Sequence, residues 1–217
     1  MIFGTIFVNN PITMKRHISI LILAVAATVA AIAQTPAQML DRCAAAMTNA
    51  GGLSATYTLT APGQGSDRGT IVMQGRQFRL LSSLAKCWFD GTTMWSYSPA
   101  TGEVNVTNPT AQELQMTNPL SAVQGFKSNF NLKRAKCDTP NTYVIKLTPK
   151  QKSNIKVLWA YFDTTTNLLR TARFEMQDGS LNIIKLTNFQ SHQKFSASTF
   201  KYDKSQVPAG TQVVDLR

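Results

Sequence analysis

Histidine is almost missing from this chain, with two residues in 217. That scarcity argues against a multi-histidine metal site or a zinc protease, both of which need clustered imidazoles. Charge is sparse as well: 15% of residues are Asp, Glu, Lys or Arg, and only 11 of those are acidic. Asp67, Asp90, Asp138, Asp163 and Asp178 stand where turns favour Asp, which leaves few carboxylates for a glycosidase pair. There is no Gly-x-Ser-x-Gly elbow and no cysteine with a local nucleophile signature. Gly63-Gln64-Gly65 lacks the Lys and helix pattern that a phosphate-cradling loop requires. His192, in a Ser- and Gln-rich stretch, reads as a surface histidine. These absences point away from an enzyme and call for no metal or cofactor. What is present is 43% apolar residues, enough for one sizeable core.

The first 33 residues read as a leader. Met14-Lys15-Arg16-His17 opens an uncharged run, residues 18–32, that ends in Ala31-Ile32-Ala33. A basic start, an apolar middle and a small-x-small end form a secretory signal, with translation starting at Met14 and cleavage after Ala33. The apolar run falls short of the ~20 residues of a spanning helix. Residues 34–217 are then expected as one domain, exported to the periplasm. Loss of Lys15 and Arg16 leaves 20 basic against 11 acidic residues, a charge of +9. Export makes nucleic acid an unsuitable partner, and the cations are not interleaved with exposed aromatics as such a partner would need. In an oxidising compartment Cys43, Cys87 and Cys137 allow one disulfide. Cys87–Cys137 is the favoured pair, since both fall in strand-like segments; three free thiols are the alternative.

Residues 34–50 carry Met39, Leu40, Cys43 and Met47 at helical spacing, with Pro36 in the first turn and Gly51-Gly52 at the end. From Leu53 the period becomes two, and short strands follow at regular spacing to residue 107. Asp90-Gly91 predicts a type I′ hairpin. Two Asn-Pro pairs then interrupt the meander, with short helices expected at 110–115 and 120–126. Five more strands run to residue 189, and the C-terminal residues add short edge strands. The expected fold is mainly β (α+β): a single curved antiparallel sheet of about eleven strands, with the first helix and the helical insert over it. Several late strands are apolar on both faces, such as Ile155, Val157, Trp159 and Tyr161 against Leu158, Ala160 and Phe162. Such a sheet either packs on itself or encloses an incompletely filled apolar cavity.

Against this background the chain resembles the periplasmic outer-membrane lipoprotein carrier family (LolA-type), more closely its divergent Bacteroidetes-like branch. The resemblance rests on Gly69-Thr70-Ile71-Val72-Met73, on Arg76-Gln77-Phe78-Arg79-Leu80, and above all on Phe89-Asp90-Gly91-Thr92-Thr93-Met94-Trp95-Ser96-Tyr97-Ser98-Pro99. It continues through Asn118-Pro119-Leu120, Leu147-Thr148-Pro149-Lys150, Gln177-Asp178-Gly179 and the closing Pro208 to Arg217. It implies an unclosed eleven-stranded barrel whose helices form a lid over a cavity for lipoprotein acyl chains. By position, Tyr57, Leu59, Ile71, Met73, Phe78, Leu80, Trp88, Trp95, Trp159 and Phe174 are the lipid-binding candidates of the sheet, and Met39, Leu40, Leu120 and Phe126 those of the lid.

The resemblance also implies partners: acylated lipoproteins, an inner-membrane lipoprotein-releasing ATPase complex, an outer-membrane acceptor and transient contact with membrane surfaces, met by a monomer. Where the family has a basic residue followed by proline after the Gly69 to Met73 strand, this chain has Gln74-Gly75-Arg76. Arg76 stands in, shifted by one position, and Arg76 and Arg79 are the expected docking residues. Three acyl chains of ~15 methylenes carry roughly 35 kcal/mol of transfer free energy, above the ~20 kcal/mol at which non-covalent affinity saturates. A carrier therefore needs only a shielded well between two membranes. The alternative reading is an envelope lipid-sensing or interaction protein on the same scaffold; relatives of that kind append a second domain, for which the chain to Arg217 leaves no room.

Overall fold

The computed structural model describes residues 34–63 and 65–217. The expected signal peptide lies outside the described residues. No helix among the described residues is long and apolar enough to cross a membrane. Helix α1, Pro36–Asn49, starts in a capping box: Thr35 Oγ1 accepts from the Gln38 N–H at 3.2 Å, and Gln38 Oε1 accepts from the Thr35 N–H at 2.9 Å. Strands β1 (Gly52–Ala61), β2 (Gly65–Gln74), β3 (Gln77–Ser82), β4 (Lys86–Phe89), β5 (Met94–Ser98) and β6 (Glu103–Thr107) follow. Helices α2 (Ala111–Thr117) and α3 (Pro119–Asn129) form the insert. Then come β7 (Phe130–Ala135), β8 (Thr142–Pro149), β9 (Ile155–Asp163), β10 (Leu169–Met176), β11 (Leu181–Gln193) and β12 (Gln212–Asp215).

All twelve strands belong to one sheet in the order β12-β6-β5-β4-β3-β2-β1-β11-β10-β9-β8-β7. The sheet is curved and does not close, because β7 and β12 remain as edges. The expected architecture holds, and one of the expected C-terminal edge strands joins the eleven others. That strand, β12, runs parallel to β6, with Val213 opposite Val104, so the sheet is mixed at this edge. A parallel neighbour needs a long return path, and residues 194–211 supply it by crossing the outer face. The turn at Asp90-Gly91 also differs from expectation. Phe89 faces Met94 across a four-residue loop, and only Gly91 has a positive φ, at 103°. Asp90 instead accepts the Thr92 and Thr93 N–H groups at 3.0 and 2.8 Å, so an Asx turn closes the hairpin.

Side-chain parity divides the sheet into an inner face beneath the helices and an outer face. On one half of the inner face, Tyr143, Ile145, Leu147, Leu158, Ala160, Phe162 and Ala172 pack with Met39, Leu40 and Cys43 of α1 and Val123 of α3. On the other half, Ala55, Ile71, Met73, Phe78 and Phe89 pack with Leu114 of α2. Met47 of α1 touches both groups and a third formed by Ala50, Leu53 and Leu168. A thioether with three rotatable bonds suits that junction of irregular gaps. The outer face has its own smaller core of Trp88, Tyr97 and Val104 under Tyr202 and Val207 of the returning C-terminal segment.

The disulfide expectation is corrected. All three cysteines are free: Cys87 lies on β4 and Cys137 just beyond the β7 edge, with seven strands between β4 and β7 in the sheet order. Cys43 is fully buried in the α1 contact, and burial pushes the Cys43 and Cys87 thiols up to about 11. At those values neither is a ready thiolate.

One buried polar cluster fixes the β1–β2 hairpin. Asp67, 5% exposed, accepts from Tyr57 Oη at 2.9 Å and from Ser83 Oγ at 3.0 Å. Opposite Tyr57 sits Gly69, where an added Cβ would stand 2.3 Å from the Leu81 carbonyl oxygen and 2.6 Å from a Tyr57 ring carbon. Gly69→Ala is expected to cost ~1–3 kcal/mol through this overpacking, read as a lower midpoint in urea unfolding. Burial by itself would raise the Asp67 pKa, but hydrogen bonds from Ser82, Tyr57, Ser83 and the Leu84 N–H outweigh it and hold the carboxyl below its ordinary value. A depressed folded-state pKa gives stability that is present above the unfolded value near ~3.9 and lost as pH falls through the folded one. Wild-type protein should therefore lose more stability than Asp67→Asn between about pH 5 and pH 2, measured by thermal unfolding.

Candidate functional site

The insert between β6 and β7 is built by its caps. Thr110 and Glu113 form a capping box on α2, with the Thr110 N–H donating to Glu113 Oε2 at 2.7 Å. Asn118, 3% exposed, ends α2 and starts α3: its Oδ1 accepts the Leu120 and Ser121 N–H groups at 3.0 and 3.2 Å. Its Nδ2 donates to the Arg76 carbonyl at 3.1 Å, which ties both helices to the turn between β2 and β3. Gly125 lets α3 approach Gln115 of α2, since a Cβ there would lie 2.9 Å from the Gln115 amide carbon. Across the lid, Lys127 of α3 pairs with Asp41 of α1 at 2.7 Å, and both side chains are substantially exposed. Such a pair contributes at most about 1 kcal/mol.

Between these helices and the rim of the sheet lies a cleft of about 470 Å³. Phe89, Leu114 and Leu120 give it apolar walls, Gln115 and Gln124 line its polar side, and Arg76 stands in its lining. The volume falls in the ~300–1,000 Å³ range of small-molecule sites. The cleft continues the apolar cluster of the inner face, because Phe89 and Leu114 belong to both.

The candidate residues divide by parity. Ile71, Met73 and Phe78 belong to the inner cluster that Leu80 and Leu120 border, and Phe174 and Phe126 border the cluster around α1 that contains Met39 and Leu40. Tyr57 and Leu59 share the inner parity of Ala55 on β1, where Leu59 faces Asp67 and Ile184. Trp88, Trp95 and Trp159 do not: they occupy the outer face, which corrects the placement expected for them. Trp88 faces Trp95 across β4–β5, one residue out of phase with the inward Phe89, and is 1% exposed beneath Tyr202. Trp159 faces Arg173, whose guanidinium lies 5.4 Å from its ring centroid. Large aromatics signal burial, but the face they occupy follows from strand register. The two docking candidates separate as well, with Arg76 beside the lid and Arg79 on the outer face opposite Trp88.

Met47, Leu114, Gln115, Asn118 and Val123 contribute to the site or its core without having been expected there from the sequence. The Asn-Pro pair marked Asn118 as a helix start, and nothing in its neighbourhood pointed to the Arg76 tether 42 positions away.

A family model described as "Outer membrane lipoprotein carrier protein LolA" matches residues 26–180. Among solved structures, an uncharacterized conserved protein from Thermus thermophilus superposes with a TM-score of 0.58 at 12% identity, covering 82% of this chain and 98% of its own. A LolA superfamily protein from Nitrosomonas europaea gives a TM-score of 0.42 at 11% identity over 77% and 98% of the two chains. A putative outer membrane lipoprotein-sorting protein domain from Vibrio parahaemolyticus gives 0.42 at 11% identity over 75% and 94%. No curated protein matches the chain.

The shared cap makes Asn118 the fastening of the lid. Asn118→Ala should cost ~1–2 kcal/mol, seen as a fall in melting temperature, with faster hydrogen exchange confined to α2 and α3.

Proposed function

The chain belongs to the outer-membrane lipoprotein carrier (LolA) family, and from that premise we propose that it is a periplasmic chaperone shielding lipoprotein acyl chains between its lid helices and the inner face of its sheet. At the coarser level the family makes it a lipoprotein-binding or sorting-related domain. The observation that carries the finer reading is how the lid is attached. Helices α1 and α3 meet the sheet through apolar side chains such as Met39, Leu40 and Val123, and are joined to each other by the exposed Lys127–Asp41 pair. Apolar contact is non-directional. An acyl chain entering beside Leu114 and Leu120 can therefore replace helix side chains on the same surface with little change in free energy.

That exchange is what a shuttle requires. The inner face is covered by the lid in the ligand-free protein and by cargo in the loaded one, so neither state exposes it to water. An anchor of three acyl chains exceeds the 470 Å³ cleft of the closed form, and loading involves lifting the lid. The protein takes no part in bond making. In this reading an inner-membrane ATPase supplies the work of extraction, an outer-membrane acceptor receives the cargo, and Arg76 beside the cleft meets those partners.

The test is saturable binding of a fluorescent fatty-acyl probe to the purified protein. Leu120→Asp places a charge on the cleft wall and should weaken binding about tenfold or more. Leu120→Met should bind as wild type, and circular dichroism should show both variants folded. Absence of saturable binding to the wild-type protein, or wild-type affinity in a folded Leu120→Asp variant, removes the reading.

A further inference from the structure

A second cleft, of about 620 Å³, lies on the outer face, where the segment returning toward β12 crosses β3. One wall is Arg79; the other carries Thr199, Lys201, Tyr202, Asp203 and Lys204. Its lining is more polar and more cationic than that of the lid cleft. Three cations share this lining with one carboxylate, Asp203, whose Oδ1 accepts the Ser205 N–H at 2.9 Å and the Ser205 hydroxyl at 2.7 Å, closing the short turn Lys204–Gln206. Arg79 belongs to none of the four ion pairs found among the described residues. It is nevertheless partly desolvated, which lowers its pKa from the usual arginine value against the partial compensation of Asp203.

A half-buried guanidinium that no side chain pairs with keeps its capacity to bind an anion. Lys201, Lys204, Thr199 and Tyr202 line the same cleft as Arg79. Guanidinium, ammonium and hydroxyl donors together match the oxygens of a phosphate group, which arginine holds in bidentate fashion. The excess of two positive charges over the single carboxylate favours an anion there. The floor is rigid: Tyr202 meets the buried Trp88 edge-on at 5.5 Å, and the adjoining Phe200 is fully buried.

The geometry points to a phosphate-binding site at Arg79, Lys201 and Lys204 that takes the headgroup of an anionic phospholipid. It adds to the lid cleft a second site with a different task. The acyl site holds cargo, whereas a headgroup site on the opposite face of the sheet holds the carrier against a membrane while its lid stays free to work. Arg79, Lys201 and Lys204 group three of the chain's basic residues around this one cleft.

The experiment uses the full mature chain and two probes, glycerol 3-phosphate in solution and phosphatidylcholine vesicles with or without phosphatidylglycerol. Tyr202 joins the cleft to Trp88, so binding of glycerol 3-phosphate should shift the Trp88 indole N–H resonance saturably. Phosphatidylglycerol should recruit the protein to vesicles. Arg79→Gln with Lys201→Gln should weaken both by about tenfold or more, whereas Lys133→Gln, which removes the same type of charge on the β7 edge, should not. Binding of glycerol 3-phosphate without vesicle recruitment supports the site and assigns it to a soluble phosphate ester. Absence of any saturable shift, or recruitment undiminished in the folded double variant, overturns it. Acyl-probe binding measured in parallel reports on the lid cleft alone, so failure of one site is not mistaken for failure of the other.

Discussion

The structure depends on one constraint: an open sheet with an apolar inner face must keep that face from water without closing into a barrel. Twelve strands leave β7 and β12 as edges, so closure by strand pairing does not occur. Three helices provide the cover instead. Met39, Leu40, Leu114 and Val123 are their fully or nearly fully buried contributions, each worth ~1.5–3 kcal/mol when removed from water. Because this contact is apolar and carries no directional bonds, its strength is set by area, and another apolar surface of equal area can take its place. The carrier function proposed for this family member rests on that physical equivalence.

Directional bonds are used where movement would be harmful. Asn118 fastens the α2–α3 corner to the turn at Arg76, and the Tyr57–Asp67–Ser83 cluster fastens the β1–β2 hairpin. The C-terminal end of α1 is held by β11, where the His192 N–H donates to the Ala50 carbonyl at 2.7 Å beside irregularities in the β1–β11 register. The helices thus hang from bonded corners, while their faces rest on side chains alone. On the other side of the sheet Trp88, Tyr97 and Val104 form a second layer under the returning C-terminal segment, which gives β3 to β6 a support that does not depend on the lid.

Much of this was legible in the sequence. The period-two stretches from Leu53 onward, the capping residues, the Asn-Pro pairs and the Asx turns are local signals, and they placed nearly every element within a few residues. The hairpin at Asp90 shows the limit of a local signal: Asp-Gly favours type I′, yet Asp90 could equally accept two N–H groups of a longer turn, and it does. The placement of the tryptophans shows a second limit. Trp88 and Phe89 are neighbours in sequence and equally apolar, but adjacent strand residues point to opposite faces. Which of them looks inward depends on which face the helices cover.

The chain by itself determined what can be buried and what can bend: the apolar stripes, the caps and the turns. These follow from the geometry of a few consecutive residues. The tertiary structure decided which stripe became the inner face, that Cys87 and Cys137 stay unpaired with seven strands between them, and that Arg76 and Arg79 line separate clefts on opposite sides of one sheet. Each of those outcomes is a relation between residues far apart in the chain, set by strand order and register, and no local pattern encodes it.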